Sequence, residues 1–128
     1  MKRPSGMPED YRQNLGKIGE DLACRELARR GYAILARRYR TRLGEIDIVA
    51  DDGGTLVFVE VKARADDRCG SPAEAVTRRK QQRLARMAAD YLTRNRVAGR
   101  PCRFDVVGVR MEPAEPEVTV FPNAFVLD

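Results

Sequence analysis

At 128 residues and a net charge of +5, the chain has room for one domain with a single sizeable core, and its charge favours a polyanionic partner. It contains no histidine, which excludes histidine acid/base chemistry, serine and cysteine triads built on histidine, and His-containing metal motifs. The scattered cysteines Cys24, Cys69 and Cys102 argue against a disulfide framework or zinc-ligand spacing, and no apolar run approaches the roughly 20 residues that cross a bilayer.

Any hydrolysis must therefore rest on carboxylates, lysine and a hard metal. Lys2, Lys17, Lys62 and Lys80 are the only lysines, so arginine supplies the rest of the 24 cationic residues. Arginine forks match phosphate geometry, although GC-rich codons would enrich arginine without any functional reason. Residues 1–12 carry charge without an apolar h-region, which predicts a flexible tail rather than a signal peptide, and a cytoplasmic protein. Residues 13–128 are expected to form one domain.

From Gln13 to Arg30, Leu15, Ile18, Leu22, Ala23 and Leu27 recur at helical spacing, and Gly31 suits the position just past a helix end. Glu20 lies at the margin of that apolar stripe, where it can reach inward or pair along the helix with Lys17 or the nearby Arg25. Tyr32 to Arg42 reads as a first strand.

Two more strands follow around a turn. Ile46 to Ala50 and Thr55 to Val61 are rich in β-branched residues, and Asp51-Asp52-Gly53-Gly54 punctuates them. A two-residue loop at Gly53-Gly54 sets Asp52 against Thr55, Asp47 against Glu60 and Glu45 against Lys62. A four-residue loop from Asp51 to Gly54 would pair Glu60 with Glu45 instead, and Glu60 would still share a face with Asp47.

Directly opposed residues have Cβ atoms about 5 Å apart, and like charges there repel. The pattern puts Ile46, Ile48, Val57, Val59 and Val61 on one face, and Val49, Leu56 and Phe58 beside the carboxylates, so the strands are expected to be buried. Asp47 and Glu60 then need a cation, a shared proton or hydrogen-bond donors, and a divalent metal with oxygen ligands meets that need, with Lys62 on the same face. A solvated edge with an ordinary Glu45–Lys62 pair is the plainer alternative.

After a polar loop over 65–70, Ser71-Pro72-Ala73-Glu74 reads as a helix start, with Ser71 as N-cap, Pro72 at N1 and Glu74 at N3, and the helix is expected to run to about Arg96. Leu84, Met87, Ala88, Tyr91 and Leu92 form its core face, with Lys80 and Gln81 on the same side. Arg79, Arg83, Arg86 and Arg94 share another face with Asp90, a basic stripe suited either to solvent or to phosphates. Cys102 to Met111 and Glu117 to Phe121 read as the last strands, joined by a turn over 112–116. The order predicts a mixed sheet whose fourth strand lies parallel to the Glu60 strand after a right-handed crossover.

With Asp on the second strand and Glu-x-Lys on the third, this order resembles the PD-(D/E)XK nuclease fold. That resemblance implies an α/β, restriction-endonuclease-like core, a central mixed sheet flanked by helices in the order αβββαββ. More closely, Gly16-Lys17-Ile18-Gly19-Glu20, Gly31-Tyr32, Gly44-Glu45-Ile46-Asp47, Phe58-Val59-Glu60-Val61-Lys62, Gly70-Ser71-Pro72, Lys80 and Arg103-Phe104-Asp105-Val106-Val107 resemble the YraN-like family of small bacterial proteins, itself regarded as related to archaeal Holliday-junction resolvases. The match spans nearly the whole chain after residue 13.

The resemblance implies a nuclease acting on DNA, branched or damaged DNA included. In it, Asp47, Glu60 and the Val61 carbonyl would hold Mg2+ or Mn2+, Lys62 would stand beside the attacking water, and Glu20 would be an additional acid. Arg64, Arg79, Lys80, Arg83 and Arg86 are the candidates for nucleic-acid contacts. Ile46 stands where the usual motif has Pro. The Ser found near the acid in archaeal resolvases is missing from Arg42-Leu43-Gly44-Glu45, so junction specificity is not inherited. DNA or RNA as substrate, and a homodimer such as junction cutters generally form, stay open, as does a non-catalytic nucleic-acid-binding or adaptor module that kept the fold.

Overall fold

The computed structural model describes residues 9–65, 70–111 and 115–126, with side chains in the first helix from Asn14 onward. The elements are α1 (Glu9–Arg29), β1 (Ala33–Thr41), β2 (Gly44–Asp52), β3 (Thr55–Arg64), a 3-10 turn (Ala73–Ala75), α2 (Arg78–Arg94), β4 (Cys102–Arg110) and β5 (Glu117–Phe125). This is the expected order αβββαββ, consistent with a restriction-endonuclease-like core. Helix α1 begins at Glu9, inside the stretch expected to be a tail. The rest of that tail, most of the 65–70 loop with Cys69, and much of the 112–116 turn lie outside the described residues. Among the described residues, no helix is long and apolar enough to cross a membrane.

The five strands lie in the order β1-β2-β3-β4-β5, with β3 and β4 parallel and every other neighbouring pair antiparallel. A parallel pair needs a crossover, and the segment carrying α2 supplies it. On one face Ala23 and Leu27 of α1 pack against Ile48, Ala50, Val57, Val59, Val107 and Val109. On the other, Leu84, Met87, Ala88 and Tyr91 of α2 cover Ile46, Val49, Leu56, Phe58 and Val106. Leu56 through Glu60 are all buried, as a central strand covered on both faces requires.

The β2–β3 turn has the predicted two-residue form. Asp52 pairs with Thr55, and Gly53 (φ 60°) and Gly54 (φ 101°) take the left-handed conformations that this tight hairpin demands. Asp51 fastens it by accepting the Gly54 N–H at 2.8 Å and an Arg100 N–H at 2.7 Å. The end of α1 is also as expected: Gly31 has φ 95°, and the Tyr32 N–H reaches back to the Leu27 carbonyl at 3.0 Å.

The second helix differs from the reading. Ser71-Pro72-Glu74 opens only the 3-10 turn, which ends at Val76 in extended conformation, and α2 starts afresh with Thr77 as N-cap, its hydroxyl accepting the Lys80 N–H at 3.2 Å. Val76 is buried against the α2 face of the sheet, so the core draws the chain out of the helical path at that residue. Local capping signals carry no information about that pull.

Strand β5 runs four residues past its predicted end. Pro122 and Asn123 (φ 52°) lie in an irregularity between the pairs Val106–Phe121 and Phe104–Phe125, a disruption that an edge strand tolerates. There the Asn123 N–H donates to Asp105 Oδ1 at 2.9 Å. Asp105 is fully buried and also accepts from Arg103 Nε at 3.0 Å and from the Tyr32 hydroxyl at 3.3 Å. Burial, and next the charge of Asp105, hold the Tyr32 phenol above its ordinary pKa.

Candidate metal centre and basic groove

The β2–β3 ladder runs from Asp52–Thr55 to Ile48–Val59 and stops one step short of the acids. Beyond it Asp47 turns its carboxylate onto the next strand, where Oδ2 accepts the Val61 N–H at 2.8 Å. On the other side of β2, Arg37 pairs with Ile48 and Tyr39 with Ile46, while the intervening Arg38 has a left-handed backbone, φ 52°. The strand therefore changes face at Asp47, and Ile46 packs under α2 while Ile48 packs under α1. Strict alternation had put both isoleucines on one face, and it fails where the ladder is broken.

This break brings Asp47 and Glu60 together in one pocket of about 390 Å³, with Lys80, Arg83, Leu84 and Met87 of α2 forming another part of its lining. Burial, and next the charge of Glu60, push the Asp47 carboxyl up to about 7, against the pull of the Val61 N–H. Glu60 is 6% exposed, and its Oε2 faces two ammonium groups, Lys80 in direct ion-pair contact and Lys62 at 3.9 Å. Burial, and next the charge of Lys80, lower the pKa of Lys62. Lys80, which the helical wheel placed inward, thus belongs to the acid pocket. Glu45 does not meet Lys62, because the strands have parted by then; it pairs across β1 with Arg40 at 3.0 Å.

Glu20 stands on α1, and the close approach of that helix to β3 rests on Gly19, where a Cβ would fall 2.7 Å from Ala63 Cβ. Only 7% exposed, Glu20 is held by Arg37 at 2.8 Å and Arg38 at 3.2 Å. Neither Arg25 nor Lys17 is its partner, and Lys17 instead reaches Asp21 at 3.8 Å. Arg37 and Arg38 were missed as part of this site. Two successive arginines inside an apolar strand were the available signal. Glu20 adds its charge to the rise at Asp47, behind burial and Glu60.

The predicted nucleic-acid contacts divide. Arg79, Arg83 and Arg86, joined by Arg78 and Gln82, line an open groove of about 930 Å³ along the outer face of α2. Leu43, 42% exposed at the β1–β2 tip, and Arg83 line both this groove and the acid pocket, so the two are contiguous. Among the described residues Arg78, Arg79, Arg83 and Arg86 have no acidic partner. Arg94 keeps to the stripe's shared face with Asp90 and pairs with it at 3.4 Å, without lining the groove, and Asp90 also accepts the Tyr39 hydroxyl at 2.7 Å. Arg64 turns to the Gly70 carbonyl and lines a separate cavity of about 70 Å³ between β3, β4 and β5.

Two carboxylates in one pocket, one of them with its pKa raised to about 7 by burial and by the charge of the other, fit a hard divalent ion. Mg2+ commonly takes one or two protein carboxylates and fills its remaining positions with water and substrate phosphate. Among the described residues there is no cluster of three His, Cys, Asp or Glu side chains arranged to hold a metal, so Glu20 is not a third ligand here.

Residues 19–109 match the model of the uncharacterised protein family UPF0102, a span that includes Glu20, Asp47, Glu60, Lys62 and Lys80. This is the family that the YraN-like resemblance anticipated. A UPF0102 protein of Symbiobacterium thermophilum is 54% identical over 101 residues, 79% of this chain and 86% of the relative. One of Moorella thermoacetica is 51% identical over 116 residues, covering 89% and 97%, and one of Anaeromyxobacter dehalogenans is 45% identical over 125 residues, covering 98% and 93%.

Proposed function

We propose that this chain, which belongs to the UPF0102 family, is a Mg2+- or Mn2+-dependent nuclease that hydrolyses phosphodiester bonds in DNA, in the manner of the PD-(D/E)XK enzymes it resembles. The carrying observation is the contiguity of the Asp47–Glu60 pocket with Arg79, Arg83 and Arg86 of α2, which have no acidic partner among the described residues. A phosphate backbone lying along Arg79, Arg83 and Arg86 would lead to the two carboxylates.

In this reading Asp47 and Glu60, with the Val61 carbonyl, would hold the divalent ion. When bound, that ion supplies a more acidic water and neutralises charge developing on the scissile phosphate. Asp47 stays aimed because the Val61 N–H fixes one of its oxygens. Lys62, partly buried, 3.9 Å from Glu60 Oε2 and lining the neighbouring cavity with Arg64, would orient the attacking water or take its proton, and its lowered pKa would suit the second task. Arg37 and Arg38 neutralise the buried charge of Glu20, which does not line the pocket itself. Arg83, shared by groove and pocket, would anchor a phosphate beside the scissile one.

The test is cleavage of linear, branched and single-stranded DNA and RNA with and without Mg2+ or Mn2+. Lys62→Ala should keep metal and nucleic-acid affinity and lose roughly 10²-fold or more in rate, the scale for removing a transition-state stabiliser. Glu60→Ala should lose metal and cleavage together. A wild-type protein that cuts nothing in the panel removes the enzyme reading for those substrates, and equal cutting by Lys62→Ala moves the active site elsewhere. The second reading, a nucleic-acid-binding module that no longer cuts, is favoured by one observation: Glu60 already has Lys80 as its counter-ion.

A further inference from the structure

Lys80 occupies an unusual place. It sits in the first turn of α2 behind Arg78 and Arg79, with no acidic residue in that turn, where the helix end is itself positive and cations are disfavoured. Its ammonium lies on the same Glu60 oxygen that Lys62 approaches to 3.9 Å, so two like charges share one acceptor. One carboxylate oxygen needs one such partner. The side chain of Lys80 is 29% exposed, and Arg79 and Arg83 flank it one residue before and three after, on the wall of the basic groove. A flexible lysine stem at this border can reach either the carboxylate inside or a phosphate outside.

We infer that Lys80 is an exchangeable counter-ion, which neutralises Glu60 while the pocket lacks a divalent cation and swings to a nucleic-acid phosphate when that cation takes the Glu60 oxygen. This rests on the pocket being a divalent-cation site. Lys80 then lowers the affinity of the free protein for the cation, because its ion pair with Glu60 must break first. A phosphate beside Arg79 and Arg83 offers Lys80 a new partner and relieves that cost. Cation and nucleic acid therefore strengthen each other's binding by one common factor, as linkage requires. The free protein is poorly loaded, and its complex with nucleic acid is well loaded.

The experiment is a calorimetric titration of the full chain with Mn2+ alone, comparing wild type, Asp47→Asn and Lys80→Met. Lys80→Met should bind Mn2+ about tenfold more tightly, since a unit positive charge has left the site. A second readout uses the wild type only: acylation of the lysines, read by mass spectrometry, with exposed Lys17 as internal reference. Mn2+ should raise the Lys80 rate severalfold relative to Lys17. Unchanged or weaker Mn2+ binding by Lys80→Met, or an unchanged Lys80 acylation rate, overturns the exchange if Asp47→Asn still abolishes binding. Mn2+ binding that ignores Asp47→Asn overturns the cation site itself, and the exchange with it.

Discussion

Asp105 and Asp47 are carboxylates set into the same sheet, and their surroundings differ in kind. Asp105 is wholly buried and accepts hydrogen bonds from the Arg103 guanidinium, the Tyr32 hydroxyl and the Asn123 N–H. Asp47 accepts one backbone N–H and stands against Glu60, and its carboxyl is pushed up to about 7. Arg103 is further tied to Asp52 at 2.8 Å and to the Tyr32 oxygen at 2.6 Å, so the first network is closed on itself. In the second, the Lys80 and Lys62 ammoniums both face Glu60, and among the described residues Asp47 has no cation of its own. A buried charge with all its partners in place belongs to the scaffold, whereas one without its own cation is the natural candidate for a ligand, as the proposed function requires.

The sharpest way to break this contrast is to remove each carboxylate in turn. Asp105→Ala leaves the half-buried Arg103 guanidinium with Asp52 as its remaining carboxylate and orphans the Tyr32 hydroxyl and the Asn123 N–H, and should destabilise the protein by about 2–5 kcal/mol in urea unfolding. A loss under about 1 kcal/mol would show that the closed network is not what holds this part of the sheet. Asp47→Asn should act in the opposite direction when no divalent ion is present, because it removes repulsion with Glu60.

The pH dependence sharpens the same comparison at smaller amplitude. The Asp47 pKa is raised in the folded state, from 3.8 to about 7, so the folded protein binds that proton more tightly than the unfolded chain does. The stability linked to this proton is fully present below pH 3.8 and is lost as pH rises through about 7. Between those limits Asp47→Asn should flatten the decline, and above pH 7 it should leave the metal-free protein more stable by roughly 1–3 kcal/mol. Unfolding titrations in EDTA check this. A wild type and variant whose stabilities run parallel from pH 4 to 8 would mean that Asp47 is not strained.

What could be read from the sequence depended on how far apart the partners stand along the chain. The Gly53-Gly54 turn, the Gly31 helix end and the inward lean of Lys80 follow from a few neighbouring residues, and the structure has all of them. The pairing of Asp52 with Thr55 then carried the count of residues to within one step of Asp47 and Glu60. The count could not foresee that the ladder opens there, where Arg38 across in β1 is left-handed and Ile46 turns under α2, because those neighbours lie outside the hairpin's own residues. Asp105 was harder still. Its partner Tyr32 stands 73 residues away, and the local traces were an acid inside the apolar run Phe104 to Val109 and Arg103 two residues before it. The misread start of α2 has the same origin, since the core and not the cap decides where Val76 goes.

The smallest expected effect concerns the border between the groove and the pocket, and it asks whether the charge shortage at Asp47 serves the same ligand as the arginine surplus on α2. Arg83 lines both cavities, and among the described residues it has no acidic partner, so its replacement removes no ion pair. Arg83→Ala should therefore leave folding stability within about 0.5 kcal/mol of wild type. Each phosphate contact made by a cation releases condensed counter-ions, so the same change should flatten the slope of log K against log salt for duplex DNA by up to about one unit, equally for unrelated sequences. Fluorescence anisotropy in EDTA over a salt series measures this without cleavage. Arg94→Ala is the internal control, because Arg94 already neutralises Asp90 and stands off the groove. If Arg94→Ala flattens the slope as much as Arg83→Ala does, nucleic acid is attracted by net charge alone, and the groove beside Asp47 has no special claim on it.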